Sequence, residues 1–169
     1  SLLVATSANA AIVYFDFTGT TQNVIQNSFS FSSGGYTLTA TAKANKAGKN
    51  SPVNVEQWLA GIGVDSGDGN NRLDSNVSLD EILTFSLTSA GDANARFSSG
   101  TVFFGDRFKS RLESGEIAEL RFGYPHKAIF ANGNNGNSAG FSLNGFAKRI
   151  ELQSPQRVEF DNGFRVQGI

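Results

Sequence analysis

Ser28-Phe29-Ser30-Phe31-Ser32-Ser33-Gly34-Gly35-Tyr36-Thr37-Leu38-Thr39-Ala40-Thr41-Ala42 decides the fold class. Phe29 and Phe31 alternate with serines, and Leu38, Ala40 and Ala42 alternate with threonines. A period of two gathers the apolar side chains on one face of an extended chain, whereas a helix of 3.6 residues per turn would scatter them. Gly34-Gly35 stands between the two runs as a turn, so the stretch predicts an antiparallel hairpin with threonines outward.

The same signal recurs on both sides. Residues 11–18 carry Ile12, Val13, Tyr14, Phe15 and Phe17, a β-branched and aromatic run that predicts a buried strand. Strands are also expected over 53–59, 82–87, 102–104, 117–122, 149–152, 158–160 and 164–166, the last two joined across Asp161-Asn162-Gly163. Asn-Gly pairs of that kind favour hairpin turns. Residues 43–52 and 131–140 read as polar loops and 89–94 as a turn. Phe108 and Leu112 lie four apart, which allows at most a short helix near 106–113. About ten short strands without helical connections predict an all-β fold, an antiparallel two-sheet sandwich of jelly-roll type, with a barrel as the second choice.

At 169 residues the chain is long enough for one core and short for two, so residues 11–169 read as a single domain. Lys+Arg (14) and Asp+Glu (15) nearly cancel, and no basic block stands out, which argues against nucleic acid as a partner. No Cys is present, which excludes disulfides and thiolate chemistry but not secretion. Met is also absent, so the sequence is expected not to be a complete translation product. Leu2, Leu3, Val4 and Ala5 lead into Ala8-Asn9-Ala10, the form of an apolar signal-peptide tail with its cleavage site. If residues 1–10 are retained, Leu2, Leu3 and Val4 need cover, and a β-prone tail can supply a strand to a neighbouring copy. Both readings, signal remnant and donor strand for self-assembly, stand. No run reaches the ~18 apolar residues of a membrane span.

The chemistry-bearing stretch is 61–81. Asp65, Asp68, Asn70 and Asp74 lie within ten positions, interleaved with glycines, and Asp80 and Glu81 precede the next strand. Calcium takes six to eight oxygen ligands from carboxylates, amides and main chain, and this stretch is rich in all of them. An EF-hand is excluded, because counting back from Asp68-Gly69 places Val64 and Ser66 where that loop needs acids. Catalytic material is thin. His126 is the sole histidine, no nucleophile motif accompanies it, and adjacent acids in a glycine-rich loop suit an ion better than a sugar. A non-enzymatic protein is therefore expected. A second reading is a lectin-like module binding polysaccharide through Trp58, Tyr36 or Tyr124 beside the calcium loop.

The order Ser33-Gly34-Gly35 and strand, Trp58, Gly61-Ile62-Gly63-Val64, an Asp/Gly/Asn loop closing on Leu73-Asp74, then Asp80-Glu81-Ile82-Leu83-Thr84-Phe85, resembles secreted bacterial surface proteins of the PEP-CTERM type. The terminal run Phe164-Arg165-Val166-Gln167-Gly168-Ile169 is similar too. The likeness spans most of 28–169. It implies export, residence at the cell surface or in the extracellular matrix, and a structural role without catalysis. The Pro-Glu-Pro tail of that group is not part of residues 1–169, so sorting is only what the resemblance implies.

Overall fold

The computed structural model describes residues 12–19, 23–46, 48–67, 75–76, 79–105, 117–122, 127–131, 138–154 and 165–169. Its strands are β1 (Val24–Gln26), β2 (Ser28–Ser33), β3 (Tyr36–Lys46), β4 (Lys49–Trp58), β5 (Gly61–Asp65), β6 (Ser75–Asn76) and β7 (Leu79–Ser89). They continue with β8 (Phe97–Gly105), β9 (Ile117–Arg121), β10 (Lys127–Ala131), β11 (Ser138–Ala147), β12 (Arg149–Gln153) and β13 (Arg165–Gly168). All pairings are antiparallel, along the path β10-β9-β12-β7-β3-β4-β5-β13-β8-β11, with β1 on β4, β2 on β3 and β6 on β7. The all-β expectation holds. A division into two separate sheets does not follow from the pairing, because one curled sheet runs continuously through β4.

The hairpin that fixed the fold class is present. β2 and β3 pair without a break from Ser28↔Thr41 to Ser33↔Tyr36. Gly34 and Gly35 close it at φ 56° and 81°, a left-handed pair that residues with a Cβ adopt at a cost. Beyond that hairpin, β3 continues to Lys46 and pairs with β4 over Lys43↔Pro52, Ala44↔Ser51 and Asn45↔Asn50. The expected loop over 43–52 is thus corrected to a second hairpin. Lys49, Asn50 and Ser51 of its second strand are exposed, while Ala42 and Ala44 of the first are buried.

β4 is the element around which the sheet bends. Residues 49–53 pair with β3, and residues 54–58 leave it to pair with β5 and β1. Side chains from both halves meet in one core: Leu38, Leu83, Phe85, Leu120, Ile150 and Leu152 from one, and Val55, Ile62, Val64, Val102, Phe104 and Val166 from the other. Residues 12–19 fasten the two. Phe15 exchanges backbone hydrogen bonds with Ile169 (N to O 2.8 and 3.2 Å), and Phe17 stacks on Phe85 with centroids 5.3 Å apart. The buried strand expected over 11–18 is therefore an extended segment with one bridge, Asp16↔Gly168, and with hydrogen bonds from Gly19 N to Trp58 O and from Gln57 Nε2 to Phe17 O; Phe15 and Phe17 are inside, Ile12 and Tyr14 exposed.

β5 corrects a second expectation. The glycines of Gly61 to Asp65 suggest the start of the acidic loop; instead Ile62 and Val64 are fully buried in an interior strand. The helix expected near 106–113 and the turn at 161–163 lie outside the described residues. Strands β10 and β11 have no counterpart among the expected strands, and β11 takes up Ser138 to Gly140 from the expected 131–140 loop. No helix of the described residues is long and apolar enough to cross a membrane.

Candidate functional site

A polar cleft opens where β4 parts from β3. The last rung between them is Ala42↔Val53; the next residues, Thr41 and Asn54, turn to different partners. The β1–β2 segment splits at the same place, pairing with β4 through Gln26 and with β3 from Ser28, so Asn27 faces the gap between ladders. Strand divergence withdraws ladder partners from backbone groups, and polar side chains or solvent must replace them. The cleft has a volume of about 510 Å³ and is lined by Asn27, Thr41, Asn54, Asp65, Ser66 and Gly67, with Ala42, Pro52 and Val53 as its apolar part. Gly67, at φ 84°, turns the chain away after β5. Ser66 Oγ is buried without a hydrogen-bond partner. A buried hydroxyl in that state is unfavourable by about 1–3 kcal/mol.

The expected calcium ligands divide into three groups. Asp65 ends β5, opposite Asn54 in the ladder, and borders the cleft. Asp68, Asn70 and Asp74 lie outside the described residues. Asp80 and Glu81 belong to β7 itself and do not precede it: Asp80 pairs with Asn45 and Ser75, and Glu81 with Ala44. Consecutive strand residues point to opposite faces. Glu81 accordingly joins Leu83 and Phe85 on the buried face while Asp80 is half-buried on the other, so a single ion does not take both. Among the described residues no three His, Cys, Asp or Glu side chains converge as a metal cluster. The cleft's oxygens come instead from one carboxylate, two amides and two hydroxyls.

Of the expected sugar-binding aromatics, Trp58 is half-buried, and the Arg165 guanidinium stands 5.9 Å from its ring centroid, within cation–π range. Tyr36 packs against the core at the start of β3. Tyr124, like His126 and the assembly residues Leu2, Leu3 and Val4, lies outside the described residues.

Sequence reading missed Asn27, Thr41, Asn54 and Ser66. Each is an ordinary polar residue of a strand or turn, and only the splitting of two ladders brings them together. It also missed the buried ion pair of Glu56 with Arg165, 109 residues apart. The one local signal was a charge set between Val55 and Trp58 in a strand of otherwise apolar and amide character.

No family model, curated protein or solved structure matches the chain.

Proposed function

We propose that this chain is a non-catalytic structural domain, exported to the cell surface or extracellular matrix, that takes calcium at the cleft beside the end of β5 and joins its neighbours through residues 1–10. The observation that carries the calcium reading is the oxygen-only donor set of the cleft, with the Ser66 hydroxyl buried and lacking a hydrogen-bond partner there. A hard cation accepts that kind of donor, and the sequence after Gly67 adds Asp68, Asn70 and Asp74 toward the six to eight ligands calcium takes. Bound to the folded state only, calcium raises stability by mass action.

Export and the structural role are supported by the sequence resemblance described above, and strand donation by the apolar Leu2, Leu3 and Val4. Thermal melting in chelator and in millimolar calcium tests the ion. Calcium is expected to raise the melting temperature, and Asp65→Asn to remove most of that rise; superimposable curves sink the reading. Strand donation of this head-to-tail kind builds filaments; removing residues 1–10 is expected to abolish them with the circular dichroism of the domain unchanged, and a truncated protein that still forms filaments refutes the donation.

A further inference from the structure

Sheet edges are open templates for pairing, and proteins blunt them with lysine, proline, bulges or very short strands. Three outer strands of this sheet follow that rule. β1 has three residues, β10 begins with Lys127, and β11 breaks register between Ser142 and Ala147. β2 does not. Among the described residues it pairs with β3 alone, over six unbroken rungs, and Ser-Phe-Ser-Phe-Ser-Ser contains no charge, proline or bulge.

Residues 28–32 read the same in both directions, Ser-Phe-Ser-Phe-Ser. Two copies laid antiparallel about Ser30 set Phe29 opposite the partner's Phe31, Ser28 opposite the partner's Ser32, and Ser30 opposite itself. The half-buried Phe29 and Phe31, whose centroids are 6.3 Å apart, would extend their row on the core side. The exposed serines would extend the hydroxyl side, where Ser30 Oγ already lies 3.2 Å from Thr39 Oγ1 and Ser32 Oγ 3.3 Å from Thr37 Oγ1. A slip of one residue sets Phe against Ser and fails on both faces.

We propose that β2 is the contact through which two copies of this chain form an isologous dimer, edge to edge, about a two-fold axis at Ser30. The contact is independent of strand donation by residues 1–10. Ser30→Lys places two like charges directly opposite across the axis, which is destabilising for a cross-strand pair. Within the monomer it replaces one exposed hydroxyl.

Sedimentation of the full chain over a range of concentrations provides the test. Leu3→Asp, which disables the apolar donor segment and so removes strand donation from the readout, is the background for every variant. Leu3→Asp and Leu3→Asp/Ser30→Thr are expected to reach twice the monomer mass, and Leu3→Asp/Ser30→Lys to stay monomeric with an unaltered circular dichroism spectrum. A Leu3→Asp protein that is monomeric at every concentration, or a Leu3→Asp/Ser30→Lys protein that still dimerises, overturns the proposal. If Ser30→Lys does not fold, Ser28→Lys/Ser32→Lys, which sets a lysine opposite a lysine at two positions across the axis, is read in its place by the same criteria.

Discussion

The Glu56 carboxylate and the Arg165 guanidinium meet across Gly63. Glu56 is the ladder partner of Gly63 in β5, and Val166 is the partner of Ile62, so Arg165 stands on the far side of the same glycine. A residue without a side chain leaves the path over β5 clear for the two charges. Both are buried, and Nε and Nη1 of Arg165 have no hydrogen-bond partner. Removing one member of a buried pair strands the other charge, at a cost of about 3–5 kcal/mol. Glu56→Ala is therefore expected to lower the free energy of unfolding by that amount in denaturant titrations. The double variant Glu56→Leu/Arg165→Met is expected to recover most of it, because apolar pairs of similar volume replace buried ion pairs with little loss.

Gly63→Val offers an independent check of the same geometry. Its side chain occupies the path between the charges, so the substitution is expected to destabilise the wild type more than the Glu56→Leu/Arg165→Met background. Equal losses in the two backgrounds would show that Gly63 serves the backbone and not the pair.

On the outer face, Glu151 accepts hydrogen bonds from Lys43 Nζ at 3.0 Å and Arg149 Nη2 at 2.6 Å. Burial alone would raise its pKa, but the hydrogen bonds and positive charges of Lys43 and Arg149 outweigh burial and hold it below the usual carboxylate range. A depressed folded pKa contributes stability that is complete above the unfolded value of about 4.3 and is lost as pH falls through the folded value. Glu151→Gln is expected to flatten the acid limb of the stability profile below about pH 4.3 and to cost less than about 1 kcal/mol at neutral pH, since the pair is partly exposed. Urea midpoints between acid and neutral pH measure both effects.

Gly168 meets the 12–19 segment at close range. A Cβ there would lie 2.6 Å from Phe15 O and 2.8 Å from the Tyr14 hydroxyl. Backbone on one side and a ring on the other leave no room to adjust, so Gly168→Ala is expected to break the Phe15–Ile169 hydrogen bonds and to cost about 1–3 kcal/mol. Amide exchange at Phe15 and Ile169 should accelerate; unchanged protection there would mean that the substitution is accommodated without breaking these hydrogen bonds.

Phe17 is the deeper anchor of that segment, fully buried, with Phe31 at 4.6 Å and Phe85 at 5.3 Å between centroids. Phe17→Ala is expected to cost about 3–5 kcal/mol through lost burial and the cavity it leaves. Thermal or chemical unfolding reads this directly.

Strands with clean alternation were legible: β2, β12 and the Leu83 to Thr88 part of β7 each show polar residues on one side and Phe, Leu or Ile on the other. β5 was not, since its glycines look like a turn until Glu56 and Arg165 are seen to need the space over Gly63. The Lys43 to Asn50 stretch looked like a loop because its lysines, glycine and asparagines are the composition of one. Asp65 was recognisable from its acidic surroundings, but Asn27, Thr41 and Asn54 were not, because the cleft is made by two ladders dividing and no single stretch of sequence records that event.

β13, among the last residues of the sequence, pairs with β5 on one side and β8 on the other. Until it docks, no ladder among the described residues joins the β8–β11 pair to the rest of the path. Early segments can collapse, yet the sheet closes only when a late one threads between strands formed well before it. Contacts so distant along the chain are slow to find. Refolding from denaturant is accordingly expected to end in a slow step in which β5, β8 and β13 gain amide protection together, after the β2–β3 hairpin has gained its own.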